Sequence, residues 1–300
     1  MTVLKLGTRG SPLALVQANM VKDALAAAHD IACEIHIIRT TGDRVQDRAL
    51  AEIGGKALWT KELDRALLGG EIDLAVHSMK DVETIRPDSI VIAAMLERAD
   101  VRDRLVGADS LAAIREHGVV GTSSPRRRAQ VLRARPDVSV VLFRGNVDTR
   151  LAKLAAGEAD ATLLAAAGLD RLGRDEIGTA LAVEEMLPAP AQGAVGIECR
   201  ADDAMTAALL AAIDHRATSR AVRSERAFLA ALDATCHSPI AALATIADDV
   251  VTLRAELLSE DGGEHVAGDA SGPDGEALAR DLASALFERA TPAIRAGFGG

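Results

Sequence analysis

The chain has 300 residues, 49% of them apolar and 26% charged, and a formal net charge of −10. That length allows two or three domains with cores of their own, and the acidic balance argues against nucleic acid, whose phosphates call for a basic surface. Aromatics are scarce, with one Trp, four Phe and no Tyr, so platforms for base stacking are not expected and the cores must be built from Ala, Leu, Val and Ile.

The amino terminus, "MTVLKLGTRGSPLAL", lacks a basic segment followed by a long apolar run, so no signal peptide is read there. No apolar stretch reaches bilayer length. Cys33, Cys199 and Cys236 are odd in number and far apart, which disfavours a disulfide framework. The expectation is a cytoplasmic protein with reduced thiols, and the absence of any long apolar surface repeat favours a monomer.

In chain order, β-branched runs at 3–6, 34–39, 73–77, 90–94, 119–121, 138–143 and 161–164 alternate with Ala/Leu-rich helical stretches at 12–28, 60–68, 125–134 and 147–156. This alternation predicts an α/β fold with mostly parallel strands. Residues 41–56 carry charge and glycine without a sustained period, and read either as a mobile lid or as a poorly formed helix. A later strand is expected at 194–198. Beyond residue 217 the pattern changes to a helix at 219–232, three alternating runs at 240–246, 250–259 and 265–270, and a closing helix at 275–289. That is a small α+β unit with an antiparallel sheet. Domain boundaries are placed near 98–103 and near 217.

An internal echo points to chemistry. "LGTRGSPLALVQ" and "VGTSSPRRRAQV" share one order: strand, Gly-Thr, Ser-Pro, helix. Ser11 and Ser124 stand at N-cap positions, with Pro12 and Pro125 in the first helical turn. Such a junction presents unpaired N–H groups and the positive helix end to an anion; the bland alternative is ordinary capping. Arg9, Arg126 and Arg127 flank the two copies. A third junction, "FRGNVDTRL", offers Arg144, Gly145 and Arg150, and Arg171 follows another strand. From Arg102 to Arg150 there are ten arginines, no lysine and five acidic residues. Arg without Lys suits fork-shaped recognition of carboxylate or phosphate, although surface ion pairs account for part of the excess. The strand "IDLAVHSMKDV" delivers Ser78, Lys80 and Asp81 at its end, either as catalytic groups or as a Lys–Asp pair in solvent. Gly54-Gly55-Lys56 is not a P-loop, and the seven histidines show no metal-ligand spacing; no metal is expected. Cys236 beside His237 is a poor dyad, because neighbouring side chains usually point apart.

Taken together, "GTRGSPLAL", "HSMKDV", "GTSSPRRR", "RGNVDTRLAKL", "AGLDRLG", "QGAVGIECR" and "DATCHSP" resemble the hydroxymethylbilane synthase (porphobilinogen deaminase) family over nearly the whole chain. The resemblance implies two α/β lobes like those of bilobed solute-binding proteins and a small α+β carboxy-terminal domain. The corresponding divisions are 1–98 with 194–211, 103–188, and 217–300. It implies head-to-tail condensation of four porphobilinogens with release of ammonia, giving hydroxymethylbilane in tetrapyrrole biosynthesis. It also implies a dipyrromethane cofactor held by a thioether to Cys236, and Asp81 as the catalytic carboxylate. By the same resemblance, Arg9, Ser11, Ser78, Lys80, Thr122, Ser123, Ser124, Arg126, Arg127, Arg144, Gly145, Arg150, Arg171 and Gln192 would bind cofactor and substrate. Asp43 and Lys56 fall in the lid, and Trp59 on the cleft. No nucleic acid, membrane or obligate protein partner is implied. The chain departs from the family pattern at Pro125, Asp148, Ala191, Ala234 and Thr235, and Trp59 stands where Phe is common; no charged site residue is lost. Two rivals remain at this stage. One is a bilobed module binding a polycarboxylate or phosphate, which has no use for Cys236 or Asp81. The other is a cysteine hydrolase using Cys236 and His237.

Overall fold

The computed structural model describes residues 3–40 and 60–298; the expected lid with Asp43 and Lys56, and Trp59, lie outside the described residues. Two compact units form, one from residues 3–40, 60–99 and 193–219, the other from 100–192 and 220–298. The first holds a five-stranded sheet of β1 (Leu4–Thr8), β2 (Cys33–Ile37), β3 (Leu74–Ser78), β4 (Ile90–Met95) and β10 (Val195–Arg200), in the order β2-β1-β3-β10-β4. β1 pairs in parallel with β2 and β3, and β10 runs antiparallel between β3 and β4. Four strands therefore share one direction, and the inverted one is the strand that returns from late in the sequence.

The second unit repeats this plan with β5 (Asp103–Val106), β6 (Val119–Gly121), β7 (Ser139–Val141), β8 (Ala161–Ala165) and β9 (Thr179–Ala180), ordered β7-β6-β8-β5-β9. Here β5 is the inverted strand, antiparallel to β8 and β9. The two Gly-Thr…Ser-Pro segments thus occupy equivalent junctions, β1 to α1 (Pro12–His29) and β6 to α3 (Pro125–Ala134). β5 and β9 have no counterpart among the predicted strands. Both are short, and β5 opens on Asp-Arg, which reads as a boundary when taken from the sequence.

Apolar periodicity accounts for the layers. On one face of the first sheet, α1 buries Ala18, Val21 and Leu25 with Leu6, Leu74, Val76 and Ile197. On the other, α2 (Lys61–Leu68) packs Leu63 and Leu67 against Ile72, Ala75 and Ile90. Each such side chain contributes about 1.5–3 kcal/mol by burial. The second sheet is flanked by α3, α4 (Val147–Ala155) and α5 (Ala166–Arg171), with Leu105, Val120, Val131 and Leu163 at its core. α6 (Ala204–Ala211) follows β10.

The carboxy-terminal part forms the antiparallel sheet β11 (Ile240–Ala247), β12 (Val250–Leu258) and β13 (His265–Gly272), accompanied by α7 (Arg216–Ala231), α8 (Gly275–Arg289) and α9 (Pro292–Arg295). Its first turn places Asp248 and Asp249 at φ 48° and 61°, the left-handed pair that a two-residue hairpin favours. Phe228, Leu253, Leu282, Leu286 and Ile294 form its core. This sheet packs into the second unit. The wholly buried Glu225 on α7 accepts the N–H of Ala244 on β11 at 2.7 Å and the N–H of Ala191. Ala191 needs that hold: it sits at φ 61°, a conformation costing a residue with a Cβ about 1–2 kcal/mol.

Among the described residues no helix is long and apolar enough to cross a membrane. One close approach bears on the site below. A Cβ on Gly196 of β10 would lie 2.0 Å from Met79 Sδ, and Met79 is 1% exposed, so it has little room to yield. Gly196→Ala is expected to cost about 1–3 kcal/mol by overpacking, seen as a lower melting temperature, and to lower activity as well because Met79 leads the turn that carries Asp81.

Candidate active site

In the first unit, buried β3 ends at Ser78 and passes straight into a 3-10 turn, Met79–Asp81. The polar tail of "HSMKDV" therefore emerges at the carboxyl end of a parallel strand, where open α/β sheets bind ligands. Beside it, Ser11 caps α1 by accepting the N–H of Ala14 at 3.3 Å, with Pro12 in the first turn. A small pocket of about 60 Å³ brings together Arg9, Ser11, Gln17, His77, Ser78 and Asp81. Lys80 shares the turn with Asp81. The predicted residues of this unit are thus neighbours, and an anion at the α1 N-terminus would meet a guanidinium with a carboxylate close by.

Three residues supporting this pocket were not singled out from the sequence. Gln17 is 3% exposed; its amide donates to Ser78 Oγ at 2.8 Å and accepts from it at 3.1 Å, which fixes the hydroxyl. On the opposite face of β3, Glu198 of β10 is wholly buried. It accepts from Arg86 through both oxygens, at 2.7 and 2.9 Å, and lies 3.2 Å from His77 Nε2. Arg86 also reaches Glu83 at 2.8 Å and Asp64 at 2.5 Å. Gln17 lies within a quoted motif, one turn before Val21 on the buried face of α1, so helical periodicity could have found it. The Arg86–Glu198 pair spans 112 residues and leaves no local signal.

In the second unit, Ser124 caps α3 by accepting the N–H of Arg127 at 3.4 Å, and Thr122 Oγ1 accepts the N–H of Ser124 at 3.2 Å. Asn146 caps α4 through the N–H of Thr149 at 2.9 Å. Arg150, one turn further on, donates to Gly145 O at 3.0 Å and to Ser123 Oγ at 3.3 Å. It thereby joins the Ser-Ser-Pro loop to the Arg-Gly-Asn loop. Arg144 is 7% exposed, and Gly145 at φ 110° makes the bend that follows it. Arg171 ends α5; burial pulls its pKa down, opposed by Asp170.

Arg126 and Arg127 are held from within the unit. They are 3% and 5% exposed, and each donates to Asp103 at 2.7 Å. Arg126 also donates to Gln130 Oε1 and Leu187 O, both at 2.9 Å, and Arg127 to Leu163 O at 2.8 Å. Gln192 joins the same carboxylate at 2.9 Å, with a second bond to Val101 O at 2.7 Å. The terminal nitrogens of both arginines are therefore engaged with protein acceptors. Burial alone would raise the Asp103 pKa, but the two guanidiniums overcome it and hold the group well below the carboxylate range.

Cys236 lies in the loop between α7 and β11 and is the exposed thiol of the three; Cys33 and Cys199 are buried. Burial raises the Cys33 pKa and pushes that of Cys199 up to about 11, with Asp203 adding to it, so neither is a nucleophile near neutrality. The Cys236 loop is tied by Thr235 N–H to Ser238 Oγ at 3.3 Å and His237 N–H to Thr235 Oγ1 at 3.2 Å. His237 is exposed as a residue, yet desolvation of its ring lowers its pKa below 6.5.

No group of three or more His, Cys, Asp or Glu side chains suited to a metal occurs among the described residues. A larger cleft of about 410 Å³ lies by the start of α8, lined by Arg220, Arg223, Asp274 and Glu276. None of the predicted residues lines it, and Arg220 is already bonded to Asp249 at 2.7 Å.

Comparison with known proteins identifies the family. The family model described as "Porphobilinogen deaminase, dipyromethane cofactor binding domain" matches residues 4–208, and "Porphobilinogen deaminase, C-terminal domain" matches 219–288. A porphobilinogen deaminase of Sphingopyxis alaskensis is 60% identical over 301 residues, covering 97% of this chain and 95% of that protein. One from Paracoccus denitrificans is 53% identical over 295 residues, covering 96% and 94%. Among solved structures, the periplasmic VFT2 domain of Bordetella pertussis BvgS has a TM-score of 0.41 at 16% identity, covering 70% of this chain and 86% of that one.

The acid response of the first unit follows from Glu198. Burial opposes its charge, but the nearby His77 and the hydrogen bonds from Arg86 hold its pKa at about 2 against an ordinary 4.5. A depressed carboxylate contributes stability above its unfolded pKa and loses it as pH falls toward the folded value. Glu198→Gln is therefore expected to be less stable than wild type at pH 7, with the difference shrinking between about pH 4.5 and 2, as followed by urea unfolding at stepped pH.

Proposed function

The chain belongs to the porphobilinogen deaminase family, a transferase of porphyrin and haem biosynthesis with a dipyrromethane cofactor, and from that premise we propose how its own residues carry the reaction. The substrate is porphobilinogen, four molecules of which are joined head to tail with loss of ammonia, and water then releases the linear hydroxymethylbilane. Cys236 is the attachment point. An exposed thiol on a turn with its own hydrogen bonds, in a chain whose other two thiols are buried, fits a thioether tether. When bound, the dipyrromethane supplies the nucleophilic pyrrole carbon from which the chain grows.

Asp81 carries the chemistry. As ammonia departs from the aminomethyl carbon of porphobilinogen, the pyrrole nitrogen feeds electrons into the ring and the substrate becomes cationic. A carboxylate facing the pyrrole N–H stabilises that charge where it develops and takes part in the accompanying proton transfers. Arg9, Ser11, Ser78, Lys80 and the α1 N-terminus hold the acetate and propionate groups on the first unit's side. In the second unit, Arg144, Arg150, Arg171 and the Thr122–Ser124 loop offer the same kind of carboxylate contact. Each charge-assisted hydrogen bond contributes about 1.5–3 kcal/mol. The observation that carries this reading is the meeting of Asp81, Arg9 and the Ser11-capped helix end in one pocket. A pure binding module has no need of a carboxylate among its anion contacts.

Two variants test it. Cys236→Ser is expected to fold but to lack the added mass of two linked pyrroles, read by intact mass spectrometry; normal product formation by that variant would exclude the tether. Asp81→Asn is expected to keep the added mass and lose turnover by about 10²–10⁴-fold. Near wild-type kcat would remove Asp81 from the reaction.

A further inference from the structure

Asp103, at the start of the arginine-rich segment 102–150, takes no direct part in the condensation. Asp103 is wholly buried and opens β5, three residues after the chain enters the second unit. Its two oxygens are divided between two arginines: Oδ2 accepts from Arg126 and Oδ1 from Arg127, both at 2.7 Å. Oδ1 also accepts from Gln192 at 2.9 Å, the last residue before the chain leaves that unit. Three residues for which the family resemblance implies ligand contact therefore converge on one carboxylate.

The charge of this cluster does not balance. Two guanidiniums face one carboxylate, and Gln130 and Gln192 are neutral. The next acidic group, Glu256, also acts on Arg126, but it is itself paired with Arg133 at 2.6 Å. A net positive charge is left buried at the start of α3, where the backbone N–H groups and the helix dipole already favour an anion. The Nε–H groups of Arg126 and Arg127 are also buried, and among the described residues no acceptor satisfies them. A field from buried charge is screened less than one from the surface, and Ser123 and Ser124 stand at the start of the same helix.

We propose that Asp103 is a positioning residue for the condensation, fixing Arg126 and Arg127 beneath the α3 N-terminus so that one surplus positive charge attracts the carboxylates of cofactor and substrate. Without Asp103 the two like-charged guanidiniums repel each other and lose their common anchor, and the aim of the site is lost while Asp81 is untouched.

The proposal rests on the porphobilinogen-condensing reading, and its test separates the two. Wild type, Asp103→Asn, Arg127→Gln and the double variant are compared by melting temperature, by intact mass for the pyrrole load on Cys236, and by KM and kcat. Asp103→Asn is expected to fold with a lower melting temperature and a reduced load. In its loaded fraction KM should rise about tenfold with kcat within about threefold, the split expected when binding is weakened and the chemical step is not. Because Asp103 acts through the arginines, the double variant should have a KM within about twofold of Arg127→Gln alone.

A folded Asp103→Asn with wild-type load and KM overturns the proposal. Additive effects on KM do so too, since they mark a carboxylate that serves only stability. If Asp103→Asn does not fold, Asp103→Glu keeps the charge and displaces it by one methylene; wild-type load and KM there overturn the proposal equally. A wild-type chain with no added mass and no porphobilinogen consumption would instead defeat the reading beneath it.

Discussion

A carboxylate and two guanidiniums removed from water together are the constraint on which much of the second unit depends. Each buried ion alone costs several kcal/mol, recovered only when partners and hydrogen bonds are all in place. Asp103 meets that condition with two arginines and a glutamine. Arg126 and Arg127 meet it with Leu187 O and Leu163 O besides. β5, α3, β8 and the segment ending at Gln192 are thereby held in one arrangement. A shift of any of them leaves a charge unpaired in the interior.

The first unit uses a comparable device on the other side of its chemistry. Glu198 on the inverted strand β10 binds Arg86 and approaches His77, while Gly196 on the same strand admits Met79. The strand that arrives last in the sequence therefore sets the turn that presents Asp81. In both units the inverted strand supplies the buried carboxylate, Glu198 on β10 and Asp103 on β5. The shared topology extends beyond the two Ser-Pro junctions to the polar groups that brace them.

Within that frame the departures from the family pattern are easy to place. Pro125 suits the first turn of α3, where no N–H is needed. Asp148 pairs with Arg174 at 2.5 Å on a half-exposed surface, a contact of small energetic weight. Ala191 adopts a left-handed conformation that glycine would take without strain, and the N–H it donates to the buried Glu225 helps to hold it there.

The sequence by itself determined the layers, the doubled strand–Gly-Thr–Ser-Pro–helix junctions and the placement of Asp81 after a buried strand. These depend on local rules: strand and helix periods, capping chemistry and helix-start prolines act within a few residues, so the order of residues contains them. Only the tertiary structure decided what the arginines face. Arg9 lines a pocket with Asp81, Arg150 reaches Ser123, and Arg126 and Arg127 turn inward to Asp103, although all four read alike in the sequence as cations beside a helix start. A guanidinium's partner depends on which carboxylates folding brings near and how deeply both are buried. That is settled by strands far apart in sequence, as β10 paired with β3, and no local pattern records it.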